Sequence, residues 1–435
     1  MKNTFIISCP IDTYSGYGAR SRDLVKALIQ LDKYNVKIMP QRWGNTSWGF
    51  IEDNEEWHFL KEFVMPVGQQ LSSKPDIWAQ LTVPNEFQAI GEYNIGITAG
   101  IETTVCAPTW VDGVNRMDMT LVSSEHAKNV FINSTFEEKD KNTQQTKRVI
   151  KLNKPVEVLL EGANLDTYFP LKSPDTSIHV MSDISSIKES FAYLFVGHWL
   201  QGDMGEDRKN VSLTIKAFLE TFKNKKTKPA LILKTSSKGN CYLDRDDMID
   251  RIKMITKTVN SKNIPNIYLI HGDFTNSEMN EIYNHPKVKA MVSFTKGEGF
   301  GRPLLEFSLT QKPIIATNWS GHIDFLQPQF TTLVGGQLTK IHPSAQVKDM
   351  LIEGSQWFSP NHGEMGNALK DMFENYKNYT DGGKQQAYFS KTNFSFSNMV
   401  DNLRSILENN VPEIAAQVEL QLPSLNLPKL KKING

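Results

Sequence analysis

Glu298-Gly299-Phe300-Gly301-Arg302-Pro303-Leu304-Leu305-Glu306 sets two carboxylates at the ends of a glycine-bracketed turn. Ahead of it, Val288-Lys289-Ala290-Met291-Val292-Ser293-Phe294 concentrates apolar residues as a buried strand does. Behind it, Leu304, Leu305 and Leu309 predict a short helix ending near Thr310. Pro303 suits the first helical position, where its missing N–H costs nothing. The cap then falls on Arg302, whose side chain cannot accept a hydrogen bond from the free amides as Ser, Thr, Asp or Asn would. The amides of Leu304, Leu305 and the glycine turn are therefore expected to be unsatisfied and aimed at a ligand. An anion is the natural guest, because a helix start carries about half a positive charge, and Arg302 would add a full one.

Glutamate, seven residues, glutamate, with Gly-Phe-Gly and Pro between, resembles the signature of retaining glycosyltransferases of family 4. Those enzymes have the α/β GT-B fold, two Rossmann-like domains facing across a cleft. The resemblance implies that Glu298 lies near the transferred sugar and that the amides of Phe300 and Gly301 meet sugar and phosphate oxygens. It also implies that Glu306 holds the nucleotide ribose, with Arg302 and Leu304 on the donor side.

The chain has 435 residues, too many for one ordinary core, so two domains are expected. Lys plus Arg balances Asp plus Glu at 48 each, which leaves no overall field to steer the molecule onto nucleic acid or an anionic membrane. Cys9, Cys106 and Cys241 are too far apart in sequence to suggest a disulfide framework or a structural zinc site. A reducing, cytoplasmic setting fits. The apolar run at Phe5-Ile6-Ile7 is too short for a signal peptide, and no later run approaches the ~20 apolar residues of a membrane span. Peripheral membrane contact stays open.

In chain order, Thr4 to Ser8 predicts a first strand and Pro10 to Gly18 a loop. From Ser21 the spacing of Leu24, Val25, Leu28, Ile29 and Leu31 predicts a helix. Gly16 and Gly18 are thereby placed at the carboxyl end of a strand, where α/β proteins bind ligands; in family 4 the corresponding loop borders the donor phosphate. Further strands are expected at Val36–Met39, Ile77–Ala79, Tyr93–Ile97, Met119–Val122 and Val156–Leu159, giving six parallel strands. The loop Trp43 to Phe50 carries aromatics that either stack on a ligand or anchor the loop. Ile101-Glu102-Thr103-Thr104 resembles a cleft-facing loop of a family 4 subgroup, and Glu102 is the candidate for contacting the acceptor. The family often keeps a His in this cleft wall. None here matches clearly, and His126 is expected to pack or face solvent. The polar run Glu137 to Lys154 predicts a solvated loop.

Val158 to Pro170 resembles the segment that passes between domains, and Lys172 to Ser190 has the composition of a linker. Domain boundaries are expected at 1–170 for the acceptor side, 171–190 for the linker and 191–395 for the nucleotide side. A closing helix at 396–410 would return to the first domain, and 411–435 would be a flexible tail. The second domain opens with Ala192 to Gly197, a strand ending in glycine, and a loop through Arg208 and Lys209 leads into a helix marked by Val211, Leu213, Ile215 and Phe218. Family 4 uses an Arg just after the strand glycine and a Lys just before the helix to hold the leaving diphosphate. Lys209 matches the Lys, whereas His198 stands at the Arg position, so Arg208 or Arg302 is expected to supply the missing cation. Further strands are expected at Ala230–Lys234, Ile267–Ile270, Pro313–Ala316 and Thr332–Val334. Gly272, in His271-Gly272-Asp273-Phe274, resembles part of the loop that reads the nucleotide base.

The resemblance implies transfer of a hexose from a nucleotide diphosphate sugar, UDP- or GDP-linked, to an acceptor hydroxyl with retention and without a metal or a permanently bound cofactor. Glu298, Lys209, Arg208 and Glu102 are the catalytic candidates. Gly16, Gly18, Gly197, His198, Gly272, Phe300, Gly301, Arg302, Leu304 and Glu306 are the donor-binding ones. The acceptor is left open among glycan, lipid, protein and modified nucleobase. The last is kept because the Trp43 to Phe50 segment and the overall plan are also similar to glycosyltransferases of tailed phages. A non-catalytic nucleotide-sugar binder on the same fold is the remaining alternative.

Overall fold

A parallel strand buried on both faces divides its side chains between two cores, and this chain builds that pattern twice. The computed structural model describes residues 2–414 except 67, 72, 176 and 238. The first half supplies β1 (Thr4–Cys9), β2 (Asn35–Pro40), β3 (Ile77–Leu81), β4 (Tyr93–Thr98) and β5 (Met119–Val122). A separate hairpin of β6 (Phe136–Lys139) and β7 (Thr146–Ile150) follows, and then β8 (Val156–Val158). Apart from the hairpin these form one parallel sheet in the order β2-β1-β3-β4-β5-β8. Along β1, Phe5 and Ile7 share a core with Leu24 and Leu28 of the Gly16–Leu31 helix, while Ile6 packs with Trp78, Trp110 and Phe131 on the other face. Each such burial contributes about 1.5–3 kcal/mol.

The second half repeats the plan with β9 (Ala192–Val196), β10 (Ala230–Lys234), β11 (Ile267–Ile270), β12 (Val288–Ser293), β13 (Ile314–Thr317) and β14 (Thr332–Val334). Their order is β11-β10-β9-β12-β13-β14, all parallel. Leu194 of β9 joins one core with Ile232, and Tyr193 and Phe195 join another with Phe218 and Leu233. In both sheets the strand order reverses beside the first strand, and the loops leaving β1 and β9 border a crevice at the carboxyl ends.

After the second sheet the chain returns. The Phe396–Asn410 helix puts Met399, Val400, Leu403 and Leu407 into the core that holds Phe5 and Leu24. Outgoing and returning segments run side by side, with Ala163 N donating to Phe394 O at 2.8 Å and Phe396 N to Ala163 O at 2.9 Å. Among the described residues no helix is long and apolar enough to cross a membrane.

Three expectations are corrected. Residues 137–154 are not a plain loop. The hairpin buries Ile150, and its turn is held by the Asp140 carboxylate, which accepts from the Asn142 and Thr143 amides at 2.9 and 3.0 Å. Arg148 pairs with Glu138 across the hairpin and with Asp112 on the Pro108–Arg116 helix, so charges that looked merely solvated are matched. Within Lys172 to Ser190 lies a helix, His179–Ser186, whose Val180, Met181 and Ile184 join the core of the second sheet. The first helix begins at Gly16 rather than Ser21, because the Ser15 hydroxyl caps it by accepting from Gly18 N at 2.9 Å. The tail expected to be flexible lies, from residue 415 on, outside the described residues.

Candidate active site

β12 ends at Ser293, and the next helix, Arg302–Ser308, begins one residue earlier than its proline suggested. Gly301 is the cap, at φ 98°, a left-handed conformation that glycine adopts without strain. Arg302 is thus the first helical residue and Pro303 the second. The Leu304 and Leu305 amides are not free, since both donate to Gly301 O at 2.9 and 3.3 Å. Among the described residues the amides of Gly299, Phe300, Gly301 and Arg302 make no hydrogen bond. The Phe300 ring is buried 5.0 Å from Phe325, so only its backbone faces outward. A Cβ at Gly297 would come within 2.5 Å of the Glu102 carbonyl oxygen, so the turn is pressed against the loop that follows β4.

Glu298 is buried, donates its amide to Ser320 Oγ at 2.8 Å, and pairs through its carboxylate with Lys209. Lys209 and Arg208 sit in the loop between β9 and the Val211–Phe222 helix. Asp207 fixes that loop: its carboxylate accepts from Val211 N at 2.7 Å and from Ser212 Oγ at 2.6 Å. Arg208 Nη1 in turn donates to Glu102 Oε1 at 2.5 Å. Burial alone would push the Glu298 carboxyl up, but Lys209 and then Arg208 outweigh it and hold it below the usual carboxylate range. Burial lowers the Lys209 ammonium despite the attraction of Glu298.

A second cluster lies at the other end of the motif. Glu306 accepts from Arg302 Nε at 2.8 Å and from the Tyr283 hydroxyl at 3.2 Å. Arg302 Nη1 also reaches Asp23 at 2.5 Å, on the first helix, and Glu161 at 3.3 Å, just after β8. The open cation expected at the helix start is therefore surrounded by three carboxylates. Burial raises the Glu306 carboxyl in spite of Arg302. Burial disfavours charge on Arg302, yet Asp23, Glu306 and Glu161 together raise its pKa well above the usual guanidinium value.

Of the remaining candidates, Gly16 and Gly18 flank Tyr17 in the first turn of their helix. The Tyr17 ring stacks on Trp43 at 3.9 Å, and its hydroxyl accepts from Ala99 N at 3.1 Å, which brings this turn to the loop that carries Glu102. Gly197 follows β9 and donates its amide to Lys234 O at 3.2 Å. Gly272 follows β11, the edge strand of the second sheet, two strands away from β9. His198 is exposed, yet desolvation by the atoms around it and then the charges of Lys234, Lys209 and Arg208 push its pKa down to about 4. It is neutral at pH 7 and does not replace the expected Arg.

Asp23 and Glu161 had given no usable signal. They are single acids in otherwise apolar or mixed stretches. His322 is fully buried, with Nε2 2.6 Å from Thr317 O and Nδ1 without a partner among the described residues, and its field acts on Glu298. Asp324 accepts from the Glu125 amide at 2.9 Å, and His126 meets the Trp319 ring edge-on at 4.7 Å, so His126 packs between the two halves. The run at 318–326 resembles the family 4 segment that follows the two-glutamate helix, which made Asp324 a candidate supporting carboxylate or helix-start residue; its contact with the Glu125 amide was not foreseen. Among the described residues no group of three or more His, Cys, Asp or Glu is arranged to hold a metal ion.

No protein-family model matches this sequence, and no curated protein matches it. Solved structures do match its architecture. A glycosyltransferase from Rickettsia africae superposes with a TM-score of 0.63 at 12% identity, over 94% of this chain and 99% of that one. Anabaena HepE, in complex with UDP and glucose, superposes with a TM-score of 0.60 at 11% identity, over 94% and 100% of the two chains. Sucrose-phosphate synthase from Thermosynechococcus elongatus gives 0.59 at 10% identity, over 94% and 99%. The chain has the GT-B fold. At these identities the likeness is one of architecture. Within a GT-B frame the Glu298 and Glu306 clusters both lie at the meeting of the two sheets' loops, each joined across it by an ion pair.

Proposed function

We propose that this chain is a glycosyltransferase that moves a sugar from a nucleotide diphosphate sugar to an acceptor hydroxyl, with retention and without a metal. The observation that carries the reading is the Glu298–Lys209 pair at a glycine turn whose Phe300 and Gly301 amides are unengaged, set in a GT-B cleft. The bond from the anomeric carbon to the diphosphate breaks, the acceptor oxygen bonds to the same face of that carbon, and the acceptor proton passes to the departing phosphate oxygen. Lys209 and Arg208 would offset the charge that grows on the leaving group. Glu298 would sit beside the reacting sugar and Glu306 would hold the ribose hydroxyls. Arg302 then acts through Glu306, whose carboxylate it orients.

UDP is the favoured nucleotide, because the Anabaena neighbour has been solved with UDP-glucose and another neighbour is a UDP-forming trehalose-phosphate synthase. The same reading divides the chain into an acceptor-side unit at 1–170, a connection at 171–190, a nucleotide-side unit at 191–395 and a return helix at 396–410. The neutral His198 favours one second reading, a nucleotide-sugar binder without turnover.

A thermal-shift panel of UDP- and GDP-sugars tests the first step, since a ligand at 100 times its Kd stabilises the folded state by about 2.7 kcal/mol. Release of free UDP or GDP, by hydrolysis or transfer, tests the second. Binding with release supports the transferase, binding without release leaves the binder, and a panel giving neither rejects both.

A further inference from the structure

Resting on the donor reading above, we propose that Lys234 is a further donor-binding residue, supplying from the end of β10 the positive charge on the diphosphate that the His198 position lacks. Lys234 is the last residue of β10 and lies in register with Val196, the last of β9. Gly197 N donates to Lys234 O at 3.2 Å and Trp199 N to Ser236 O at 2.9 Å, so the loops leaving the two strands run side by side. His198 Nδ1 is 3.4 Å from Ser236 Oγ in the same pair of loops. The Lys234 stem therefore starts beside the position where the sequence motif expects an Arg, and its flexible chain carries three donors.

Among the described residues the other cations of this edge are already engaged. Arg208 is held by Glu102, Lys209 by Glu298, and Arg302 by Asp23, Glu161 and Glu306. Lys296 Nζ lies 3.8 Å from Glu206. Lys234 forms no ion pair among the described residues; its Nζ stands 5.6 Å from the centroid of the Phe274 ring, and Asp273 acts on it only from a distance. A half-buried ammonium with no counterion is costly, and burial accordingly lowers its pKa. An arriving diphosphate would offset that cost without displacing a carboxylate, as it must at Arg208 and Lys209.

The test measures binding of UDP, GDP, uridine, guanosine and inorganic pyrophosphate by calorimetry to the full chain. It compares the wild type with Lys234→Met, with Lys234→Arg, and with Lys234→Met combined with His198→Arg. Lys234→Met keeps the length and apolar stem of the side chain. We expect it to lose about tenfold or more in affinity for the diphosphate and for pyrophosphate, the size of one charge-assisted contact, with nucleoside binding unchanged. Lys234→Arg should keep most of the affinity, and His198→Arg should restore it in the Lys234→Met background. Equal loss for diphosphate and nucleoside, unchanged diphosphate affinity in Lys234→Met, or no rescue by His198→Arg overturns the proposal. If the wild type binds pyrophosphate but no nucleotide and Lys234→Met abolishes that, the anion site stands and the donor reading falls. Binding of none of the probes overturns both.

Discussion

Arg208 Nη1 lies 2.5 Å from Glu102 Oε1, and the two residues come from loops of different sheets, one after β4 and one after β9. A diphosphate that uses Arg208 must first take it from Glu102. Replacing the carboxylate by an amide removes that competitor. We expect Glu102→Gln to tighten UDP binding by about tenfold, at the lower end of the 1.5–3 kcal/mol range for a hydrogen bond to a charged group. Turnover should fall, because Glu102 is the proposed acceptor contact. Titration calorimetry beside a release assay separates these effects, and weaker UDP binding in the variant would contradict the competition.

The two motif glutamates should divide their work. Glu306→Ala is expected to weaken nucleotide binding with little further change at saturation. Glu298→Ala is expected to slow transfer at saturating donor. Steady-state kinetics and nucleotide affinity on both variants check this, and an equal loss of binding in the two would count against the assignment.

Arg302 neutralises three buried carboxylates that come from separate parts of the chain. Arg302→Met would leave Asp23, Glu161 and Glu306 without it. Removing one partner of a buried pair costs about 3–5 kcal/mol, and a loss of that size is expected in urea unfolding. Asp23→Asn, which keeps an acceptor oxygen, should cost less. A loss under about 1 kcal/mol for Arg302→Met, the scale of an exposed pair, would mean that the cluster is effectively solvated.

Burial first of all, and then the charge of His322, holds the His126 imidazole down at about 4, against 6.5 for a free side chain. The folded state thus favours neutral His126. Its contribution to stability is present in full above pH 6.5 and is lost as pH falls from there toward 4. Burial lifts the neighbouring Asp324 to about 6 from 3.8, which works the other way: its contribution is present below 3.8 and is lost as pH rises through 6. The two oppose each other, so wild type alone does not isolate either. His126→Phe should flatten the acid side, sparing up to about 1.4 kcal/mol per pH unit between 6.5 and 4. Unfolding midpoints at several pH values decide it, and identical slopes would remove His126 as the source.

The architecture was legible because parallel strands leave short, uniformly apolar runs, and ten or more of these recur with helical segments between them. The Glu298–Glu306 motif was legible because its chemistry is local: both acids and the turn lie within nine residues. The partners of that motif were not. Asp23 meets Arg302 across 279 positions and Glu102 meets Arg208 across 106, and nothing in either local stretch announces the contact. Lys234 was hidden differently, since a lysine ending an apolar strand looks like an ordinary solvated terminus. The cap at Gly301 was misplaced because proline is tolerated at more than one position of the first turn. The His179–Ser186 helix was missed because its serines dominate the composition, while three apolar side chains on one face decide its packing.

The Phe396–Asn410 helix gives the order of synthesis a physical meaning. Leu24 and Leu28 are translated early, yet the Met399, Leu403 and Leu407 side chains that share their core come some 370 residues later. At roughly 5–20 residues per second, a ribosome takes on the order of a minute or less to cover that distance. Throughout that interval the whole second sheet can assemble while the first still shows an apolar furrow to the cell. A nascent chain cut short before Phe396 would keep that furrow permanently, so truncation there should produce a chaperone client rather than a smaller working protein.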